Sequence, residues 1–248
     1  MRQFTLSHSK VLLSLLILLS FSAAAQNKLT LSPGADLVSR YIWRGSDFGN
    51  SPAIQPVLEL DYGGFALGAW GSYTTNDMNF QETDLYVSYT FKEVVTLAVT
   101  DYFFPNGRIT ENDYFHYDSD STGHVFEASA SFNGTEKFPV SLLVATNFAG
   151  DDAHTYEDDL QYSTYIELGY STSLHDISLD FFVGGTPNSP DTDKGESGFY
   201  GKSAGIVNIG VTAGKELKLS ESFSLPVNIS VITNPQAENI YMVLGISL

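Results

Sequence analysis

Apolar and polar residues alternate along most of this chain. From Ser222 to Ile232 the odd positions Phe223, Leu225, Val227, Ile229 and Val231 are apolar, and Ser222, Ser224, Asn228 and Ser230 separate them. Side chains of a β-strand point to opposite faces in turn, so this segment predicts a strand with one greasy face. Thr83 to Phe91 repeats the pattern, with Leu85, Val87, Tyr89 and Phe91 opposed to Glu82, Asp84, Tyr86 and Ser88. Ile54 to Tyr62 does the same, with Leu58, Leu60 and Tyr62 opposed to Gln55, Glu59 and Asp61.

Extended along the chain, the pattern predicts strands near 35–44, 53–62, 65–74, 82–91, 94–104, 123–132, 140–148, 161–171, 177–184, 201–213, 222–232 and 239–248. Helical periodicity is scarce. Strands in soluble proteins average about 5–6 residues, whereas a tilted strand needs about 9–11 to cross a bilayer. The predicted strands fall in the longer class. Short connections (Gly63-Gly64, Lys92-Glu93, and turns near Asn133-Gly134, Leu174-His175 and Leu217-Lys218) alternate with long ones at 45–52, 105–122, 149–160 and 185–200. Short periplasmic turns opposing long external loops are the habit of outer-membrane barrels. The expected fold is therefore all-β, a transmembrane antiparallel up-and-down barrel of about twelve strands. Trp70 and Asp101 suit neither face of their strands.

The first 25 residues read differently. Arg2 and Lys10 precede the apolar run Val11 to Leu19, and Ala23-Ala24-Ala25 offers a small-residue cleavage site. This is the pattern of a cleaved secretory signal peptide, leaving 26–248 as the barrel and directing it, after export, to the cell outer membrane. Cysteine is absent, so neither a lipid-anchored cysteine nor a disulfide is available.

Charge sharpens the picture. The formal net charge is −17, and loss of Arg2 and Lys10 takes it to −19. Nucleic acid is excluded as a partner, because phosphate binding needs a basic footprint. The short turns carry Lys92, Lys137, Lys215 and Lys218. The long loops carry Glu111, Asp113, Asp118 and Asp120, then Asp151, Asp152, Glu157, Asp158 and Asp159, then Asp191, Asp193 and Glu196. These loop acids offer hard oxygens to a loop-bound divalent cation that would bridge to surrounding lipopolysaccharide, although their spacing is not that of an EF-hand. No other cofactor is expected.

Three features assign the greasy face to lipid. Aromatics gather at strand ends (Tyr41, Trp43, Tyr62, Tyr73, Tyr89, Phe91, Phe103, Phe132, Phe148, Tyr162, Tyr170), as interfacial girdles do. The opposite face carries charges in mid-strand. The final strand has Ile240, Met242, Leu244, Ile246 and Leu248 all apolar, like an outer-membrane assembly signal, though ending in Leu248 and not an aromatic. A soluble barrel or sandwich would have to turn the mid-strand charges to solvent.

The expected interior ring holds Asp36, Glu59, Asp61, Glu82, Asp84, Glu127, Glu167 and Asp180 against Arg40, Arg44 and Lys202. Rings of charged side chains set selectivity in pores. Arg40, Arg44, Glu59, Asp84, Glu127 and Glu167 are the candidate lumen-lining residues, and the excess of acids predicts a cation-favouring channel for ions or small solutes. Arg40 and Arg44, expected on one strand face, could instead pair with these acids and close the bore, which would give a non-conducting barrel that binds a partner. A lipid-modifying enzyme is the remaining reading. Its base would come from His116, His124, His154 or His175, of which His124 lies in a strand. Phe126 stands where one such pattern places a serine, and no serine triad, phosphate-binding loop or zinc motif is present, so catalysis is not expected.

The run Tyr41-Ile42-Trp43-Arg44-Gly45, preceded by Ala35 to Arg40 and followed by Ser51 to Pro56 and Asp61 to Ser72, resembles the opening of the TorF-type porin family of largely uncharacterised bacterial outer-membrane proteins. There a strand ends in aromatic-Arg-Gly, and a loop, a strand, a glycine turn and a Gly-aromatic-Gly-Ser strand follow. Asp101 to Pro105 and Glu127 resemble later strands more loosely. The resemblance implies a membrane barrel and a pore, and supplies no substrate.

Overall fold

The computed structural model describes residues 28–76, 80–105, 113–118 and 122–248. The signal segment 1–25 and the loop acids Glu111 and Asp120 lie outside the described residues. The described strands are β1 (Thr30–Val38), β2 (Ile42–Trp43), β3 (Ser46–Asp47), β4 (Ala53–Tyr62), β5 (Phe65–Thr74), β6 (Gln81–Phe91), β7 (Val95–Phe103), β8 (His124–Phe132), β9 (Val140–Gly150), β10 (Thr164–Leu174), β11 (Ile177–Thr186), β12 (Gly205–Lys218), β13 (Ser224–Asn234) and β14 (Asn239–Ser247).

Twelve of them form one closed antiparallel barrel in the order β1-β14-β13-β12-β11-β10-β9-β8-β7-β6-β5-β4, and β2 and β3 pair only with each other. Each barrel strand pairs with its chain neighbour, which is the up-and-down topology the alternation predicts. Following the chain through the pairings puts 39–52, 104–123, 151–163 and 187–204 at one end. The tight turns 63–64, 92–94 and 175–176 lie at the other. Among the described residues no helix is long and apolar enough to cross a membrane.

The two faces of the sheet separate cleanly. Outside lie Leu58, Leu67, Leu85, Val87, Leu97, Val99, Leu168, Ile229 and Leu244, all exposed. Inside, the pairings set lateral rows. Asp36, Gln55, Ser72 and Glu82 form one, and Val57, Trp70, Asp84, Tyr102 and Val125 form the next. Trp70 thus faces inward, its ring 5.5 Å from that of Tyr41. Asp101 pairs with Phe126, on the face opposite Tyr102, and so points outward.

Three strands depart from the predicted bounds by three residues or more at each end. β1 is Thr30–Val38, not 35–44, and β10 and β12 run on to Leu174 and Lys218. Ser32-Pro33-Gly34 lies before the predicted start at 35, yet it forms strand. The seam explains this. Ala35 donates to Leu248 O and Ser39 to Leu244 O, so odd-numbered amides of β1 face β14. β14 ends before it reaches Pro33, and a proline in a sheet is tolerated where no ladder partner awaits its missing N–H. The joint is short: only Asp36↔Ser247, Leu37↔Ile246 and Val38↔Gly245 pair across it.

Candidate functional site: an inner hairpin across the barrel mouth

After Val38 the chain leaves the wall and turns into the barrel. Ile42 pairs with Asp47 and Trp43 with Ser46, so Arg44 and Gly45 form a two-residue hairpin turn. Both have positive φ, +49° and +80°, the requirement of the turn type that matches strand twist. Glycine takes that conformation freely. Arginine does so uncommonly, and such backbone is held only where its surroundings over-determine it.

Here they do. Arg44 reaches across the bore to β8, where Nη1 and Nη2 both donate to Glu127, Nη2 at 3.0 Å. Nη1 also donates to Tyr200 in the 187–204 connection. The guanidinium lies over the rings of Trp43, Tyr165 and Tyr200, at 4.4, 4.7 and 5.4 Å. Glu127 accepts as well from Tyr102, at 3.1 Å. The fork geometry of arginine suits such bidentate pairing, and stacking on aromatic faces adds to it. Behind the arginine, Asn234 donates to Gly45 O at 3.2 Å, and a Cβ at Gly45 would collide with the Val207 carbonyl. The tip is therefore held on two sides of the barrel.

Aromatic side chains fill the remaining space. Trp43 lies 5.4 Å from Tyr102 and 5.9 Å from Tyr200, while Phe48 lies 5.4 Å from Phe80. A buried apolar cluster, Tyr165, Tyr200 and Val207 with Trp43, Leu143 and Phe199 around it, is this plug and its sockets. Above it the 190–202 segment, Ser46 and 234–237 enclose a cavity of about 340 Å³ open to the long-loop end.

The six sequence candidates divide accordingly. Glu127 and Arg44 meet. Glu59 accepts from Tyr86 at 2.6 Å, and Glu167 from Tyr165 and, at 3.0 Å, from Asn208. Asp84 is buried, with Oδ1 unpartnered. Arg40 departs from expectation: it shares no strand face with Arg44 but pairs inside its own loop with Asp47, at 2.7 Å, with its guanidinium 5.9 Å from the centre of the Tyr241 ring. Lys202 is in the 187–204 connection and exposed, not on the interior wall. Sequence reasoning missed the sockets, Tyr102, Tyr165, Tyr200 and Asn208, because an inward tyrosine and a girdle tyrosine look alike until the register is known.

His124 faces outward. Its Nδ1 lies 2.7 Å from Asp101 Oδ1 and its Nε2 lies 2.6 Å from Tyr114 O. A carbonyl only accepts, so Nε2 carries a proton and is occupied. The ring is fully buried, stacked at 4.5 Å by Tyr117 and flanked at 4.6 Å by Phe103. Tyr114 donates to Asp101 at 3.2 Å, and burial and that carboxylate push its phenol up to about 12. This is a clasp holding loop residues 113–118 onto the outer wall.

Among the described residues no three histidine or carboxylate side chains converge on a metal position. Asp152 is used internally, accepting from Asn147 Nδ2 at 3.0 Å and Ser163 N at 2.9 Å.

No curated protein matches the chain. Among solved structures it is similar to the KdgM porin, with 11% identity and a TM-score of 0.45 over 86% of this chain and 97% of that one. It is also similar to an outer membrane channel from Pseudomonas putida F1, with 11% identity and a TM-score of 0.38 over 88% and 93%. The family that matches is not the TorF-type one that the aromatic-Arg-Gly motif suggested. It is Gcw_chp, described as bacterial protein of unknown function, whose model covers residues 22–193, and the chain belongs to that family.

Proposed function

We propose that this protein is an outer-membrane channel for ions or small solutes, cation-favouring, narrowed at its external mouth by the hairpin of Ile42 to Asp47. The observation that carries the reading is a closed barrel with an apolar outer wall and an acidic interior. Exposed residues such as Leu67 (59%), Met242 (72%) and Ile240 (74%) would be an aggregation hazard in water. In a bilayer they are the expected surface, because a closed barrel satisfies its own backbone and needs only an apolar exterior. Export through the inner membrane by the leader of residues 1–25 belongs to the same proposal. So does contact of the acidic external loops with lipopolysaccharide.

Arg40, Arg44, Glu59, Asp84, Glu127 and Glu167 are the proposed lumen residues. Below the hairpin the excess of carboxylates favours cations. At the mouth, Arg44 neutralises Glu127 and occupies the bore. That occupancy favours a second reading, a non-conducting barrel whose external surface binds a partner. Enzymatic use of His124 is disfavoured by its two occupied nitrogens and its burial.

Planar-bilayer recording on purified protein separates these readings. Unitary current steps are expected, with a reversal potential in a salt gradient that reports cation preference. If neither the wild type nor Arg44→Ala passes current above background, the channel is wrong and the non-conducting reading stands. Cation preference unchanged in Glu59→Gln/Asp84→Asn would remove those residues from the lumen assignment.

A further inference from the structure

Directly beneath the hairpin, β6 presents two carboxylates that no cation among the described residues pairs with. Glu82 and Asp84 are alternate residues on the inward face, 1% and 5% exposed. Glu82 Oε1 accepts from Tyr41 at 3.3 Å. Glu82 Oε2 and Asp84 Oδ1 are buried without any hydrogen-bond partner. The lateral neighbours are uncharged: Gln55 and Ser72 beside Glu82, Trp70 and Tyr102 beside Asp84. The Phe103 backbone N–H donates to the Asp84 carboxylate, while the charged groups around it, Glu82, Asp101 and Glu127, are all acids. Arg44, the cation of the plug, is committed to Glu127.

Two buried carboxylates without counter-charge are costly, and each further like charge adds to the cost. Glu82 Oε2 and Asp84 Oδ1 have no surface open to bulk water. A bare cation sits closer to oxygen than water does, at about 2.3–2.6 Å for calcium, and calcium tolerates irregular oxygen sets. We propose that Glu82 and Asp84 bind a divalent cation, calcium by preference, under the hairpin. The Tyr41 hydroxyl stands at the same carboxylate, so the ion fastens the hairpin to β6. This deepens the channel reading by placing a bound cation in the same lumen, but binding requires no current.

Terbium is the probe. It replaces calcium at oxygen sites and emits when a nearby excited indole transfers energy to it, and Trp70 lies against Tyr41 beside the site. The full mature chain in detergent micelles, excited at tryptophan, is expected to give sensitised terbium emission that added calcium competes away. Glu82→Gln/Asp84→Asn should lose that emission to the level of protein-free buffer, and Asp158→Asn/Asp159→Asn in the external loop should keep it. No emission from the wild type, or emission that survives the double variant, overturns the site. Emission lost only in the loop variant does so too. Should the double variant fail to fold, judged by circular dichroism, Glu82→Gln alone serves: calcium competition unchanged from wild type overturns the proposal. A barrel that binds terbium but passes no current ends the channel reading and leaves the site standing. A conducting barrel without emission does the reverse.

Discussion

Arg44 concentrates the closure of the mouth on one side chain. It lies at the tip of a hairpin, in backbone arginine seldom adopts, and meets Glu127 on the far wall. Removing one member of a buried ion pair costs about 3–5 kcal/mol, because the other is left charged and unpaired. Arg44→Ala is therefore expected to release the hairpin and to raise unitary conductance in planar bilayers. Arg44→Lys should not restore the wild-type value, since an ammonium cannot pair bidentately or stack as a guanidinium does. Gly45→Ala reaches the same end without touching charge. The positive φ and the clash with the Val207 carbonyl push the tip out of its socket, so conductance should rise while cation preference stays as in the wild type. A Gly45→Ala barrel with unchanged conductance would mean that the hairpin does not limit flow.

Among the elements, the inner hairpin and the outer clasp use related chemistry on opposite sides of one wall. Tyr102 on β7 faces inward to Glu127, and its neighbour Asp101 faces outward to His124. A polar pair on an apolar exterior is tolerable because Tyr114, Tyr117 and Phe103 cover it. His124→Phe keeps a ring in the aromatic stack but leaves Asp101 Oδ1 and the Tyr114 carbonyl without the imidazole. We expect 113–118 to detach, so that limited proteolysis cuts within 104–123 faster than in the wild type while the strand spectrum in circular dichroism stays unchanged. Equal cleavage rates would show that the loop is held by other contacts.

For the molecule as a whole, wall and seam set stability. A lipid-facing arginine at the bilayer midplane costs about 2–4 kcal/mol. Leu168→Arg on the outer face of β10 should accordingly lower unfolding free energy in lipid vesicles by that order, and Ser129→Arg, on the inward face of β8, by much less. The three-pair β1–β14 joint is the shortest pairing in the barrel. The chain has no cysteine, so Asp36→Cys/Ser247→Cys introduces a single disulfide across it. Oxidation should stabilise the barrel by about 2–4 kcal/mol, read as a higher temperature of heat-modified mobility than in the reduced protein.

How much of this was legible follows from the range of each interaction. Period-two alternation is local, and it gave the strand count, the up-and-down order, the acidic interior and the end to which each long loop belongs. The same locality failed at Pro33 and at Trp43-Arg44. The first lay outside the expected strand 35–44 and the second at its end, because neither carries a mark of what lies beside it in space. A proline is harmless in β1 only since β14 stops short of it. Arg44 is a plug, and not a wall residue, only since Glu127, Tyr200 and Asn234 wait across the bore, 83, 156 and 190 positions along the chain. Asp101, which suited neither face by pattern, is settled by the pairing of β7 with β8, and His124 beside it accounts for its outward carboxylate. The sequence by itself determined a greasy-outside, acidic-inside barrel, because alternation is written residue by residue. Whether the barrel's mouth stands open or stoppered was decided by the tertiary structure alone, because that depends on contacts made only when the sheet has closed.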